Sequence, residues 1–592
     1  MDPISDAGTR ATTKNDADAT DAVNVRRYAH AAAAVAATLF VAALQVHRID
    51  DGDTWWHLAS GRLIATTHAV AHTDPFSFTA HGAPWVNRQW LFDLTAYAAW
   101  RAGGAAGVAL AAGAMFLAGF GGLLALACRR LPTWAAAALV YVAAQAAVER
   151  FTIRPEAVTF AFLALYLLVL DRRRIGAGTV ALLLAAQVAW ANAHALSILG
   201  VVVIASELAG SAAALWLPFP EGWRRASARD GRSLAALAVA TIGGLVAEAA
   251  TPFGVTGAIF PLRLFGVLRG AEVTSRTIIE HRPPVLAELS PPAAAGFVAL
   301  LVLAVVATAV SWRRWRLSHL LVAGGFVTLA LLARRNVALV APGCVPLVAA
   351  GLGAALATLD ARRPRLVAAL SITIALGLAL ETARVVSGRY YESARLTRVF
   401  GLGVSSLLFP AGALAYLDAA LPDARIFNDD GLGGYIIWQS RRPVFVDDRL
   451  QVYPASVYGD YQTVLDDPRR FPLVAARYGI TAAILYHPAP GRLELAGAIA
   501  HVPGWRVRYL DAGAVILAPG GDDSLPAGLH DSIPDRDPEA ALLHYQRGRA
   551  ALYLLGSKSF DAARADFSAA LAISPSLDEA RVGLRAIANV RN

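Results

Sequence analysis

About eleven apolar stretches dominate this chain, at 28 to 46, 105 to 127, 132 to 149, 155 to 171, 176 to 192, 196 to 217, 233 to 250, 293 to 311, 318 to 333, 337 to 357 and 366 to 386. A helix needs about 17 to 25 such residues to cross a hydrocarbon layer of roughly 30 Å. The pattern predicts a mostly α, polytopic membrane bundle. Composition agrees: hydrophobic residues make up 56% of the 592 and charged residues only 16%, against about 25% charged in an ordinary soluble domain. A purely soluble protein and a disordered chain are both excluded. Two cysteines, Cys128 and Cys344, can build neither a disulfide framework nor a thiolate metal cage.

The formal charge is +9, carried almost wholly by arginine. Alternate short connections hold Arg26-Arg27, Arg129-Arg130, Arg172-Arg173-Arg174, Arg224-Arg225 with Arg229 and Arg232, Arg313-Arg314 with Arg316, and Arg362-Arg363 with Arg365. Short basic loops stay on the cytoplasmic side. This predicts a cytoplasmic N terminus, a multi-pass protein of the bacterial inner membrane, and an external C-terminal region that is periplasmic in such a cell. The arginines are then topology signals, and nucleic acid is not a predicted partner. Residues 1–27 are polar and are expected to form a cytoplasmic disordered tail, so the first apolar segment reads as an uncleaved anchor.

The transmembrane domain is predicted to span 28–386, with an external loop at 47–104. From 387 to 519 the composition is that of a small external α/β domain, with β-rich runs at Arg425–Asn428, Pro443–Val446, Thr481–Leu485 and Ala514–Leu517. A linker at 520–537 leads to amphipathic helices over 538–592. Ala563, Phe567, Ala570 and Pro575 stand at the spacing of a tetratricopeptide repeat. One repeat is not a stable array, so this tail must dock on something else or be a remnant, and a protein partner at the tail is a further expectation.

The first external loop concentrates the candidate chemistry. It contains Asp50, Asp51 and Asp53, Trp55-Trp56-His57, Asp74-Pro-Phe-Ser77, Pro84-Trp85 and Arg88. A helix starting at Asp53 puts Asp53 and His57 on one face. Carboxylates beside a membrane are costly unless solvated, paired or used. Two readings follow: a catalytic or ligand-binding acid site, or Asp53 as a helix cap with the tryptophans as interfacial anchors. His68 and His72, four apart, raise the question of zinc, but no Glu stands beside them as in a metalloprotease helix.

Asp53-Thr-Trp-Trp-His57, Asp74-Pro-Phe-Ser77, Pro84-Trp85, Gly433-Gly434-Tyr435 and Val446-Asp447-Asp448-Arg449 resemble a bacterial group of GT-C-like membrane proteins, often carrying tetratricopeptide repeats. The GT-C superfamily includes oligosaccharyltransferase catalytic subunits and protein O-mannosyltransferases. The resemblance implies transfer of sugar from a polyprenyl phosphate carrier to an acceptor on the external face. Asp53, with Asp51 or Asp50, would act as base or hold a divalent metal such as Mg or Mn. His57, Asp74, Arg88, Arg154, His194, Arg334 and Arg335 would bind substrate, the cations, with Arg150 as a further candidate at an external span end, stabilising the leaving phosphate. No sequon-reading motif of the oligosaccharyltransferases is present. Two other readings are a non-catalytic scaffold for envelope polysaccharide and a transporter. The latter is disfavoured because the spans lack charges apart from Glu207 and Glu248, placed where loop ends could wet them.

Overall fold

The computed structural model describes residues 5–269, 279–521 and 524–591. Residues 1–4 of the predicted tail and 522–523 of the predicted linker lie outside them. Among the described residues, six helices are long and apolar enough to cross a membrane: Asn24–Gln45, Trp90–Cys128, Ala195–Trp216, Pro291–Val310, Arg334–Arg362 and Pro364–Val386. Glu221–Ser227 and Gly231–Ala247 qualify together as a pair bent by 62°. Four further apolar helices are shorter, Thr133–Ala146, Glu156–Leu170, Ala177–Ala193 and Leu317–Leu332. Each of the eleven apolar stretches falls on one of these helices. The first helix runs from Ser5 to Gln45, so its backbone continues through the segment expected to be disordered. Extending a helix already anchored by its apolar half costs little, because the nucleus is formed.

The chain divides into two compact units, Met1–His47 with Ala109–Gly401, and Arg48–Val108 with Leu402–Asn592. The loop segment predicted to belong with the apolar helices thus packs with the C-terminal region. The division falls within helix Trp90–Cys128, whose backbone leaves helical geometry at Gly103 (φ −155°) and Gly104 (φ 57°, ψ −142°). Two adjacent glycines allow such a break because neither carries a Cβ.

In the first unit, small residues bring helices close: a Cβ on Gly119 would lie 2.8 Å from that of Phe160. Phe116 stacks on Phe151 at 4.4 Å. Such packing suits a bundle in lipid, where helix association gains little from the hydrophobic effect. Its few interior charges are buried and partnered, not wetted as expected. Glu207 pairs with Arg229 and Arg316 at 2.8 and 2.9 Å. Glu248 accepts from Gln187 at 2.6 Å and from Ser197 at 2.9 Å.

The second unit is built on a four-stranded sheet of β1 (Ile426–Asn428), β2 (Ala482–Leu485), β3 (Trp505–Leu510) and β4 (Val515–Pro519). The order is β1-β2-β4-β3; β1 and β2 are parallel, and β4 is antiparallel to both of its neighbours. Pro443–Val446, expected as a strand, makes only an isolated bridge between Val444 and Ser77. Asn428 takes the place of a neighbouring strand, donating to the Val446 carbonyl and accepting from the Phe445 N–H at 2.8 and 2.9 Å. The tail forms three helices, Ala540–Leu555, Phe560–Ile573 and Asp578–Arg591. Ala550 and Ala551 of the first are buried in the same core as β2 and β4.

Candidate functional site

The acidic motif lies at the start of helix Asp53–Thr67. Gly52 holds the capping position without a side-chain bond, and Asp51 accepts from the Asp53 N–H at 3.0 Å. Asp51 therefore does the capping expected of Asp53. The Asp53 carboxylate is half-buried and accepts from the Trp56 indole N–H at 2.8 Å; Asp50 is half-buried as well. Trp55 and Trp56 are 1% and 4% exposed, which removes the interfacial-anchor reading. Trp55 packs on Phe409 and Tyr435 at 5.1 and 4.9 Å, and Trp56 on Trp85 at 6.3 Å.

The glycines explain how the motif is held. A Cβ on Gly52 would lie 2.7 Å from the Gly431 carbonyl and 2.8 Å from an Asp448 carboxylate oxygen, and one on Gly434 would lie 2.8 Å from the Gly52 carbonyl. Helix Asp430–Gln439 can seat against the acidic motif because these positions lack side chains. An Asp448 carboxylate oxygen thus lies beside Gly52, which sequence reasoning did not foresee; only the later Asp447-Asp448-Arg449 motif hinted at it.

His57 and Asp74 occupy separate interior networks. The His57 Nδ1 meets Asp93 Oδ1 at 2.6 Å, and Asp93 Oδ2 accepts from Asn87 at 2.7 Å. His57 thus turns to Asp93 and not to Asp53, four residues away. Asp74 is 1% exposed and accepts from the Ser77 hydroxyl at 2.5 Å. Arg449 bridges Asp74 at 2.9 Å and Asp447 at 2.6 Å, with its guanidinium 5.0 Å from the Phe76 ring and 4.7 Å from the Trp85 ring. Asp74 is spent inside this cage, which makes it a poor substrate ligand. Arg88 is buried too, at 1% exposure. His68 ends its helix in the left-handed region (φ 55°), so the helical spacing to His72 does not exist. Among the described residues no three His, Cys, Asp or Glu groups stand together as a metal centre would require.

The remaining candidates belong to the first unit. Arg334 pairs with Glu149 at 3.2 Å, Arg335 with Glu156 at 3.2 Å, and Arg150 and Arg154 with Glu280 at 3.1 and 3.8 Å. Arg335 also donates to His281 Nε2 at 3.2 Å. Burial alone would raise the Glu280 carboxyl, but Arg150 and Arg154 hold it down at about 2. Burial and Arg335 push the His281 imidazole down to about 4. Arg150, Arg154, Arg334 and Arg335 therefore face Glu149, Glu156 and Glu280, with the His281 imidazole beside them. His194 hydrogen-bonds Thr159 at 2.7 Å. Sequence reading found the cations and missed Glu149, Glu156, Glu280 and His281, whose only signal was acid beside arginine at Glu149-Arg150. A second charge cluster, Arg129, Arg130 and Arg316 on Asp171, stands at the other end of helix Glu156–Leu170.

No protein-family model matches the sequence, and no curated protein does. Solved structures do. The archaeal oligosaccharyltransferase AglB from Archaeoglobus fulgidus, in complex with an inhibitory peptide and a dolichol-phosphate, matches with a TM-score of 0.54 at 12% identity, over 84% of this chain and 75% of that one. The apo form of an Archaeoglobus fulgidus oligosaccharyltransferase gives 0.53 at 13% identity over the same shares. The fold is GT-C-like. At these identities the likeness is one of fold, and a GT-C-like chain must carry its chemistry in its own residues. Asp53, half-buried, opens the first-loop helix, and the cations gathered in the first unit are Arg150, Arg154, Arg334 and Arg335.

Proposed function

We propose that the protein is a membrane glycosyltransferase that moves a sugar from a polyprenyl phosphate carrier to an acceptor on the external face. The fold likeness to an oligosaccharyltransferase solved with a dolichol-phosphate carries this reading. In it Asp53 is the base: it takes the proton of the acceptor hydroxyl while that oxygen attacks the anomeric carbon. The bond from that carbon to the carrier phosphate breaks, and its electron pair leaves with the phosphate. The Trp56 indole fixes one Asp53 oxygen, which limits the rotamers the base must search. Arg150, Arg154, Arg334 and Arg335 of the first unit are the candidates for holding the carrier phosphate. A divalent metal at Asp53 and Asp51 fits poorly, since each gives an oxygen to a neighbouring N–H and no three-ligand group surrounds them among the described residues. No step is therefore routed through a metal.

Topology belongs to the same proposal. All eleven apolar helices cross a bacterial inner membrane, the N terminus is cytoplasmic, and the α/β unit with its repeat-like tail is external. The two charge clusters at opposite ends of helix Glu156–Leu170 support helices whose ends meet water while their middles meet lipid. The test is transfer of radiolabelled sugar from a polyprenyl phosphate donor by membranes containing Arg335→Gln. Turnover should fall at least tenfold with normal protein levels; an unchanged rate rejects the phosphate role of this cluster.

A further inference from the structure

A cavity of about 290 Å³ lies at one end of the bundle, lined by Glu149, Glu288, Ser290, Arg334, Arg395 and Leu396 among others. Ser290 stands at the capping position of helix Pro291–Val310 yet makes no side-chain cap. Its hydroxyl is buried and has no partner, and Ser290 as a whole is 6% exposed. The cap comes instead from Glu149, which accepts the Ser290 N–H at 2.7 Å and is neutralised by Arg334. Two charges on the wall remain, Arg395 and Glu288, both exposed. Val285 and Leu286, which directly precede the lining residues 287 to 290 in sequence, are half exposed, at 50% and 49%.

The helix end opens on Pro291-Pro292, which carry no N–H, and the Ser290 N–H is taken by Glu149; the orphaned Ser290 hydroxyl and the Arg395 cation favour an anionic group. Glu288 on the same wall opposes a plain anion and favours a cation a few atoms away. The neighbouring apolar pair favours a ligand that carries hydrocarbon. We propose that this cavity binds the headgroup of a zwitterionic phospholipid, with phosphate at Arg395 and Ser290 and ammonium at Glu288. The site rests on the membrane reading of these helices and does not require sugar transfer.

The test is native mass spectrometry of the full-length protein in detergent, titrated separately with phosphatidylethanolamine and phosphatidylglycerol of matched chains. The wild type should bind the ethanolamine lipid about tenfold more tightly. Glu288→Gln should abolish that preference, and Arg395→Gln should weaken both lipids. Both side chains are exposed, so folding should persist, checked by an unchanged melting temperature. Equal binding of the two lipids by the wild type, a preference that survives Glu288→Gln, or undiminished binding by Arg395→Gln overturns the proposal. A wild type that shows the lipid preference but transfers no sugar from a polyprenyl phosphate donor would count against the catalytic reading alone.

Discussion

Single residues in the second unit divide into those that hold the fold and those left for chemistry. Arg449 is fully buried between Asp74 and Asp447. Arg449→Met should destabilise this unit by about 3 to 5 kcal/mol, because it strands two buried carboxylates; chemical denaturation followed by tryptophan fluorescence measures it. A loss below about 1 kcal/mol would mean the cage is not a structural centre. Asp429 presents a different balance. Burial pushes its carboxyl up to about 6, against the pull of Arg492. Between about 4, the unfolded value, and about 6 the native state holds more protons than the unfolded chain. Stability contributed at Asp429 is then present below pH 4 and declines as pH rises through that window. Melting temperatures between pH 4 and 7 should show this slope in the wild type and a flatter one in Asp429→Asn.

At the level of elements, the contact between helices Asp53–Thr67 and Asp430–Gln439 depends on missing side chains. Gly434→Ala would place a methyl 2.8 Å from the Gly52 carbonyl, and should cost about 1 to 3 kcal/mol. Gly459, in helix Ala455–Asp466 with open space around its Cβ position, is the matched control. Gly459→Ala should stabilise by about 0.5 to 1 kcal/mol. A thermal-shift comparison of the two variants reads both, and equal shifts would contradict the close approach. The same contact marks where sequence reading stopped. Apolar runs announce helices in a membrane protein because hydrocarbon demands them, so the bundle was legible. β1, β2 and β4 were legible from short β-branched runs. β3 was missed because Arg506 and Arg508 interrupt it, and Pro443–Val446 was overcalled because an Asn428 side chain, invisible locally, supplies its hydrogen bonds. The acids of the first loop were legible as a group. That Trp55 and Asp74 would be interior depended on partners hundreds of residues away, Phe409, Tyr435 and Arg449, and Trp56 and His57 are held by Trp85 and Asp93 within the same loop and its following helix.

Across the whole molecule, the C-terminal helices are part of the second unit's packing. Helix Ala540–Leu555 gives Ala550 and Ala551 to the core shared with β2 and β4. Arg48 pairs with Asp537 and Glu539 at 2.8 and 3.1 Å. Removing 538–592 should therefore expose the α/β core and speed limited proteolysis of residues 402–537, where a detachable partner-binding tail would leave the digestion pattern unchanged. The central claim is that this GT-C-like chain transfers sugar with Asp53 as its base. Asp53→Asn keeps the oxygen that accepts from Trp56 while removing the charge, so expression and melting temperature should hold. Sugar transfer from a polyprenyl phosphate donor by this variant should fall by about a hundredfold or more, and transfer at the wild-type rate would contradict the account.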